Sequence, residues 1–243
     1  MREDVAHPRT DLLMGRIARI VVPGVPHHIT QRGNGRKTVF DDALDHQIYL
    51  KLLRANAVQF ELKIWAWCLM PNHVHLLAIP QQEFSLARAL GRTHAEYALF
   101  HNARQASSGH LWQARYYSCP VDRSGIWPVM AYIERNPLRA GLVERAEDFQ
   151  WSSATTHVRN RDDGWMDMSA WRLEYSASRW REVLELGVDD EALRERLREA
   201  TRAGRPFGPG NFVEQIERSS NRILQVRPPG RPKKMVIECT VPN

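Results

Sequence analysis

The sequence is poor in cysteine. Cys68, Cys119 and Cys239 are the only three in 243 residues. An odd number at such wide spacing excludes a disulfide framework and a zinc-finger pattern, and it agrees with a reducing, cytoplasmic compartment. Long hydrophobic runs are also missing: none approaches the roughly twenty residues that span a bilayer. No membrane association is expected. The opening MREDVAHPRTDLLMGR mixes acids and bases and lacks the apolar centre of a secretory signal. Internal repeats are absent, and so is any acidic excess. Lys and Arg number 34 against 28 Asp and Glu, a formal charge of +6. Most of the cations are arginine, whose planar fork matches phosphate. Nucleic acid is therefore the leading partner class.

Residues 1–16 read as a leader without regular structure. Ile17–Val22 and His27–Gln31 read as extended, with Pro23-Gly24 as a turn between them. Arg32 to Lys37 form a basic glycine loop. Asp41 or Asp42 can cap a helix to about Gln59, with Leu44, Ile48, Leu52 and Leu53 on its apolar face. Leu62–Leu69 and His73–Ile79 read as a hairpin around Met70-Pro71-Asn72. Ser85 can cap a helix through about Asn102, with Leu86, Leu90, Tyr97 and Phe100 as larger apolar positions. Leu111–Cys119 reads as a strand, and Ser124 opens a third helix ending near Asn136, before Pro137 and Gly141. The order strand, helix, strand, strand, helix, strand, helix is the α+β, ferredoxin-like (split βαβ) plan. It predicts a four-stranded antiparallel sheet with helices on one face. This domain is placed at residues 17–158. A helical accessory segment at 159–217 includes the charged run 189–203, read as a solvated helix face. Residues 218–243 form a basic Pro/Gly tail.

The chemistry concentrates in Met70-Pro71-Asn72-His73-Val74-His75-Leu76-Leu77. In a strand, residues i and i+2 share a face, so His73 and His75 project side by side. Two neutral imidazoles on one rigid face are half of a divalent-metal site. A half-exposed sheet face is the alternative for His-X-His alone. On the third helix, Tyr132 and Asn136 are spaced i, i+4 and share a face. A tyrosine hydroxyl can act as nucleophile, and an asparagine carbonyl can ligate a hard cation. Equally, Tyr132 can be a core aromatic and Asn136 a helix terminator before proline.

Together, four ordered motifs resemble the single-tyrosine HUH transposases of bacterial insertion sequences, and within them the REP-associated tyrosine transposases. The motifs are GVPHHITQRGN from Gly24, WCLMPNHVHLL from Trp67, LWQARYY from Leu111 and YIERNPLRAGLV from Tyr132. Trp151-Ser152-Ser153 closes the resemblance. It implies that His73 and His75 are metal ligands, with Asn136 completing the shell, and that Tyr132 is the nucleophile. It also implies a divalent cofactor, Mg²⁺ or Mn²⁺. The implied reaction is nicking and joining of single-stranded DNA hairpins through a 5′-phosphotyrosine intermediate. Where many members carry a tyrosine two residues after the strand glycine, this chain has Pro26-His27-His28, and His27 or His28 can rival the ligands in a metal assignment. The expected setting is the bacterial cytoplasm, at the nucleoid, with the protein as monomer or homodimer.

Arg32, Arg36 and Lys37 can clamp a DNA backbone or form a solvated loop. Arg115 is either a phosphate contact or a surface ion pair. Tyr116 and Tyr117 are rival nucleophiles by chemistry, but strand aromatics serve more often as core or stacking platforms. Arg231, Lys233 and Lys234 lie in a segment that resembles an AT-hook core around Gly230-Arg231-Pro232, or is a generic basic tail. Two other function classes stay open: a non-catalytic nucleic-acid-binding regulator, and a metal-dependent hydrolase in which Tyr132 is dispensable.

Overall fold

The computed structural model describes residues 19–161, 164–187, 191–222 and 224. Its centre is a four-stranded antiparallel sheet of β1 (His27–Arg32), β2 (Leu62–Met70), β3 (His73–Pro80) and β4 (Tyr117–Pro120), in the order β2-β3-β1-β4. Helix α1 (Ala43–Gln59) joins β1 to β2, α2 (Ser85–Arg104) joins β3 to β4, and α3 (Ile126–Glu134) follows β4. This is the split βαβ arrangement, a ferredoxin-like α+β fold.

The β2–β3 hairpin turns on Pro71 and Asn72, with Met70 opposite His73 and Cys68 opposite His75. Its tip is held from outside. The Pro71 carbonyl accepts from the Val39 and Phe40 N–H groups at 2.8 and 3.1 Å, and the Asn72 carbonyl from Gly33 at 2.9 Å. The loop itself needs Gly33, because a Cβ there would sit 2.4 Å from the Lys37 carbonyl oxygen. The basic loop is a single 3-10 turn, Asn34–Arg36.

Several sequence expectations change. No strand forms over residues 19–22; the strand there is confined to β1. Residues 111–116 are irregular apart from a bridge between Gly33 and Trp112, so β4 is four residues long. Asp42 caps α1, accepting from the Leu44 and Asp45 N–H groups. The buried side of α1 carries Asp45, His46, Tyr49, Leu53, Asn56 and Ala57, whereas Leu44 is exposed. Polar residues can line this face where they find a partner across it, as Tyr49 does at His94 and Asn56 at Thr93. Ser85 does not cap α2; its hydroxyl accepts from the Gln82 N–H. Ser124 does not open α3 either: Asp122 caps a 3-10 turn, Arg123–Gly125, that leads into it.

Helices cover both faces of the sheet rather than one. Pairing puts His28 and Cys119 on the same face as Leu77 and His75, and Tyr132 of α3 packs there. Ile29, Val74 and Leu76 alternate to the opposite face and are fully buried. α1 and α2, packed on each other and against β2, close that side.

Beyond the sheet run α4 (Asn136–Arg139), α5 (Ala154–Arg159), α6 (Ser169–Glu174), α7 (Ala177–Leu186), α8 (Glu191–Ala203) and α9 (Gly210–Ser220). Trp151-Ser152-Ser153 seals the β2 edge. The Trp151 carbonyl accepts from Leu69, and Ser153 exchanges bonds with Trp67. Trp171 and Trp180 are core residues. The charged run of α8 is not wholly a solvated face: α8 packs on β4 and β1, with Leu197 and Thr201 buried. Among the described residues no helix is long and apolar enough to cross a membrane. Residues 1–16, Arg231, Lys233 and Lys234 lie outside the described residues.

Candidate active site

The hairpin and α3 converge on a cleft of about 690 Å³ over the His28 side of the sheet. His73 and His75, on β3, have ring centroids 4.9 Å apart. Tyr132 meets His75 edge-on at 5.6 Å and His28 at 5.8 Å. The strand spacing and the helix spacing thus bring His73, His75, Tyr132 and Asn136 to one place.

The hydrogen-bond network assigns the tautomers. The Thr201 hydroxyl donates to the Leu197 carbonyl at 2.7 Å, so its oxygen must accept from His28 Nδ1, also at 2.7 Å. His28 Nε2 is then an acceptor, and His75 Nδ1 donates to it at 3.2 Å. The Asn72 amide nitrogen faces the Arg36 carbonyl, which turns its oxygen to His73 Nδ1 at 2.6 Å. His73 and His75 therefore both carry hydrogen on Nδ1 and bare lone pairs on Nε2. Burial keeps these rings neutral. It pushes His28 down to about 3 and His73 down to about 4, the latter lowered also by Arg32 and Arg139. His75 falls well below the usual value, first from burial and then from the neighbouring histidines.

Asn136 plays a local structural part. Pro137 has no N–H for the Ile133 carbonyl, and the Asn136 amide supplies donors instead, to Ile133 at 3.1 Å and Tyr132 at 3.0 Å. Asn136 Oδ1 accepts from Arg139 at 2.7 Å. The Arg139 guanidinium also lies over the Tyr132 ring, 4.4 Å from its centre. From α8, Arg198 lines the same cleft, where the nearby Tyr132 raises the arginine's already high pKa. Arg32, Arg36 and Arg202 complete a cationic lining.

Lys37 is exposed in the basic loop. Arg115 lies apart, in a second groove of about 580 Å³ with Arg19, His94, Trp112 and Tyr116; Gln31 and Gln113 border both grooves. Tyr116 is buried there, whereas the half-exposed Tyr117 lines the main cleft. A separate cluster, Asp41, Asp45 and His101, holds its ligand-type atoms within 4.8 Å of one another. The two Asp45 oxygens are taken by Arg104 and the Asp41 N–H, so this is an ion-paired helix start.

The sequence reading assigned no role to Arg139, Arg198, Thr201 or Arg202, and read His28 only as a rival ligand. Arg139 lay inside a quoted motif. Arg198, Thr201 and Arg202 recur at i, i+3 and i+4, a spacing that marks one helix face.

The ferredoxin-like sheet thus carries paired histidines beneath a helix-borne tyrosine, in an arginine-lined cleft. Residues 22–136 match the family model described as transposase, IS200-like, the same stretch of chain that carries most of the motifs. Among solved structures, a REP-associated tyrosine transposase bound to a REP hairpin is similar at 18% identity. That likeness covers 65% of this chain and 96% of that one, with a TM-score of 0.49. A putative transposase from Deinococcus radiodurans R1 is 27% identical over 49% of this chain and 95% of its own, with a TM-score of 0.35. No protein with curated annotation matches the chain.

Proposed function

We propose that this chain nicks and rejoins single-stranded DNA at hairpin sites through a covalent tyrosine–DNA intermediate. The observation that carries the reading is one cleft holding the Tyr132 ring, two bare imidazole nitrogens and five arginines: Arg32, Arg36, Arg139, Arg198 and Arg202. Nothing in a simple binding surface calls for neutral, bare-nitrogen histidines facing a tyrosine.

The arginines hold the DNA phosphates and orient the scissile one toward Tyr132. The Tyr132 oxygen attacks phosphorus and loses its proton to solvent. The P–O3′ bond breaks, and the departing oxygen takes up a proton as a free 3′-hydroxyl. The 5′ end stays on tyrosine as a phosphodiester, so attack by another 3′-hydroxyl reverses the step and joins DNA without ATP. Arg139, over the Tyr132 ring, and Arg198, in the same cleft, offset the negative charge that develops on the attacking oxygen.

The bare Nε2 atoms of His73 and His75 fit a divalent cation, Mg²⁺ or Mn²⁺. Bound there, it would polarise the phosphate as a Lewis acid. Asn136 would join as a third ligand through Oδ1, for which Arg139 competes. Lys37 and Arg115 would extend the DNA contact beyond the cleft. Such a protein acts at the nucleoid, in the cytoplasm, as monomer or homodimer.

The test is Tyr132→Phe, which removes one oxygen and keeps the ring. With Mn²⁺ and a cleavable hairpin, wild type should leave a DNA-linked band that survives denaturation. Tyr132→Phe should bind the hairpin and leave none, while Tyr117→Phe should keep the band. An adduct that persists in Tyr132→Phe and vanishes in Tyr117→Phe moves the nucleophile to β4. No adduct with any variant favours the binding regulator.

A further inference from the structure

α8 reaches the cleft from outside the segment that matches the family model, yet its side chain Thr201 touches the histidine network directly. The hydrogen bonds run in one direction. His75 Nδ1–H donates to His28 Nε2, His28 Nδ1–H to the Thr201 oxygen, and the Thr201 hydroxyl to the Leu197 carbonyl one helical turn back. The last link is the only one whose direction is set by chemistry alone, because a carbonyl cannot donate. Cys119 Sγ, 3.3 Å from the same threonine oxygen, can then only donate to it. His28, Cys119 and Thr201 are buried, and their mutual contacts shield the Nδ1 side of His28.

We propose that Thr201 is a positioning residue that fixes the tautomer of His75 through His28, holding the His75 Nε2 lone pair toward the cleft. The consequence for a cation rests on the reading of His73 and His75 as its ligands. A ring nitrogen that carries hydrogen cannot ligate, so the direction of this chain decides whether His75 is a ligand at all. Without the hydroxyl, His28 Nδ1–H faces an apolar wall, and an unpaired buried donor is costly. The chain then relaxes by reversing. His28 takes the Nε2–H form and donates to His75 Nδ1, and His75 carries its hydrogen on Nε2, where the cation would bind.

The experiment uses the full chain, ¹⁵N-labelled and free of metal. Long-range ¹H–¹⁵N spectra of the imidazoles distinguish protonated from bare ring nitrogens, and Mn²⁺ titration by calorimetry follows. Wild type should show His75 as the Nδ1–H form. Thr201→Val should move His75 toward Nε2–H and weaken Mn²⁺ binding about tenfold or more. Thr201→Ser should restore both, which a merely structural role of the threonine methyl would not. His75 in the Nε2–H form in wild type, or unchanged in Thr201→Val, overturns the proposal whatever the variants do to stability. Tautomers as described in a wild type that binds no Mn²⁺ support the relay and sink the cation reading instead.

Discussion

α3 presents two buried polar residues, two positions apart, to two different surroundings. Tyr132 looks into the cleft beside His28, His73 and His75. Glu134 looks the other way, into a sealed core. There its carboxylate accepts from Ser153, from His157 Nδ1 at 2.6 Å and from Trp180 Nε1 at 2.8 Å. Glu134 and His157 have no exposed surface. His157 also has a ring nitrogen without a partner, but it is packed against Trp171 and Trp180, with centroids at 5.0 and 6.1 Å. A bare nitrogen is thus not enough for chemistry. The cleft histidines face open space lined with cations, whereas the Glu134 cluster spends its hydrogen bonds on tying α3 to α5 and α7. One face of the helix is held so that the other can be aimed.

The sharpest separation of the two clusters is His75→Ala. Cleavage should fall on the order of a thousandfold or more, the several kcal/mol that a cation contributes to such a step. Hairpin affinity should change little, because arginines supply it. Single-turnover cleavage and a binding isotherm, run side by side, check both; wild-type cleavage would dissolve the distinction.

Glu134→Ala should do the reverse. It strips Ser153, His157 and Trp180 of a shared buried acceptor and should lower unfolding stability by about 3 kcal/mol in urea titration. Metal binding by whatever remains folded should be near normal. A variant as stable as wild type would mean the cluster anchors nothing.

Ring by ring, the smallest effect is expected from pH. His28 and His73 titrate near about 3 and 4 when folded and near about 6.5 when unfolded. Below about pH 6.5 the unfolded chain takes up protons that the folded chain does not, so stability is full above that value and falls as pH drops toward 4. The slope should be about 1 kcal/mol per pH unit for each such ring. A urea midpoint that stays flat from pH 7 to pH 5 would show that the cleft rings are not held neutral.

Periodicity made the architecture legible. Alternation in residues 62–80 marked the hairpin and put His73 and His75 on one face. The i, i+4 spacing of Tyr132 and Asn136 put both on one side of a helical stretch. The same logic failed on α1, because Tyr49 and Asn56 are buried with partners from α2 that no local pattern reveals. It failed again at 111–116, where β-type side chains form an irregular segment bonded to the Gly33 loop.

By itself, then, the sequence determined the order of elements, the strand that carries the two histidines and the helix that carries the tyrosine. These depend on local periods of two and 3.6 and on turn residues such as Pro71 and Asn72. Only the tertiary structure decided which partners surround those groups. Thr201 lies 173 residues from His28 along the chain, yet accepts its hydrogen. Arg198 reaches Tyr132 from a helix whose charges look solvated in isolation. Hydrogen-bond direction, burial and the resulting neutrality of the cleft histidines are properties of contacts between distant segments, and no local pattern encodes them.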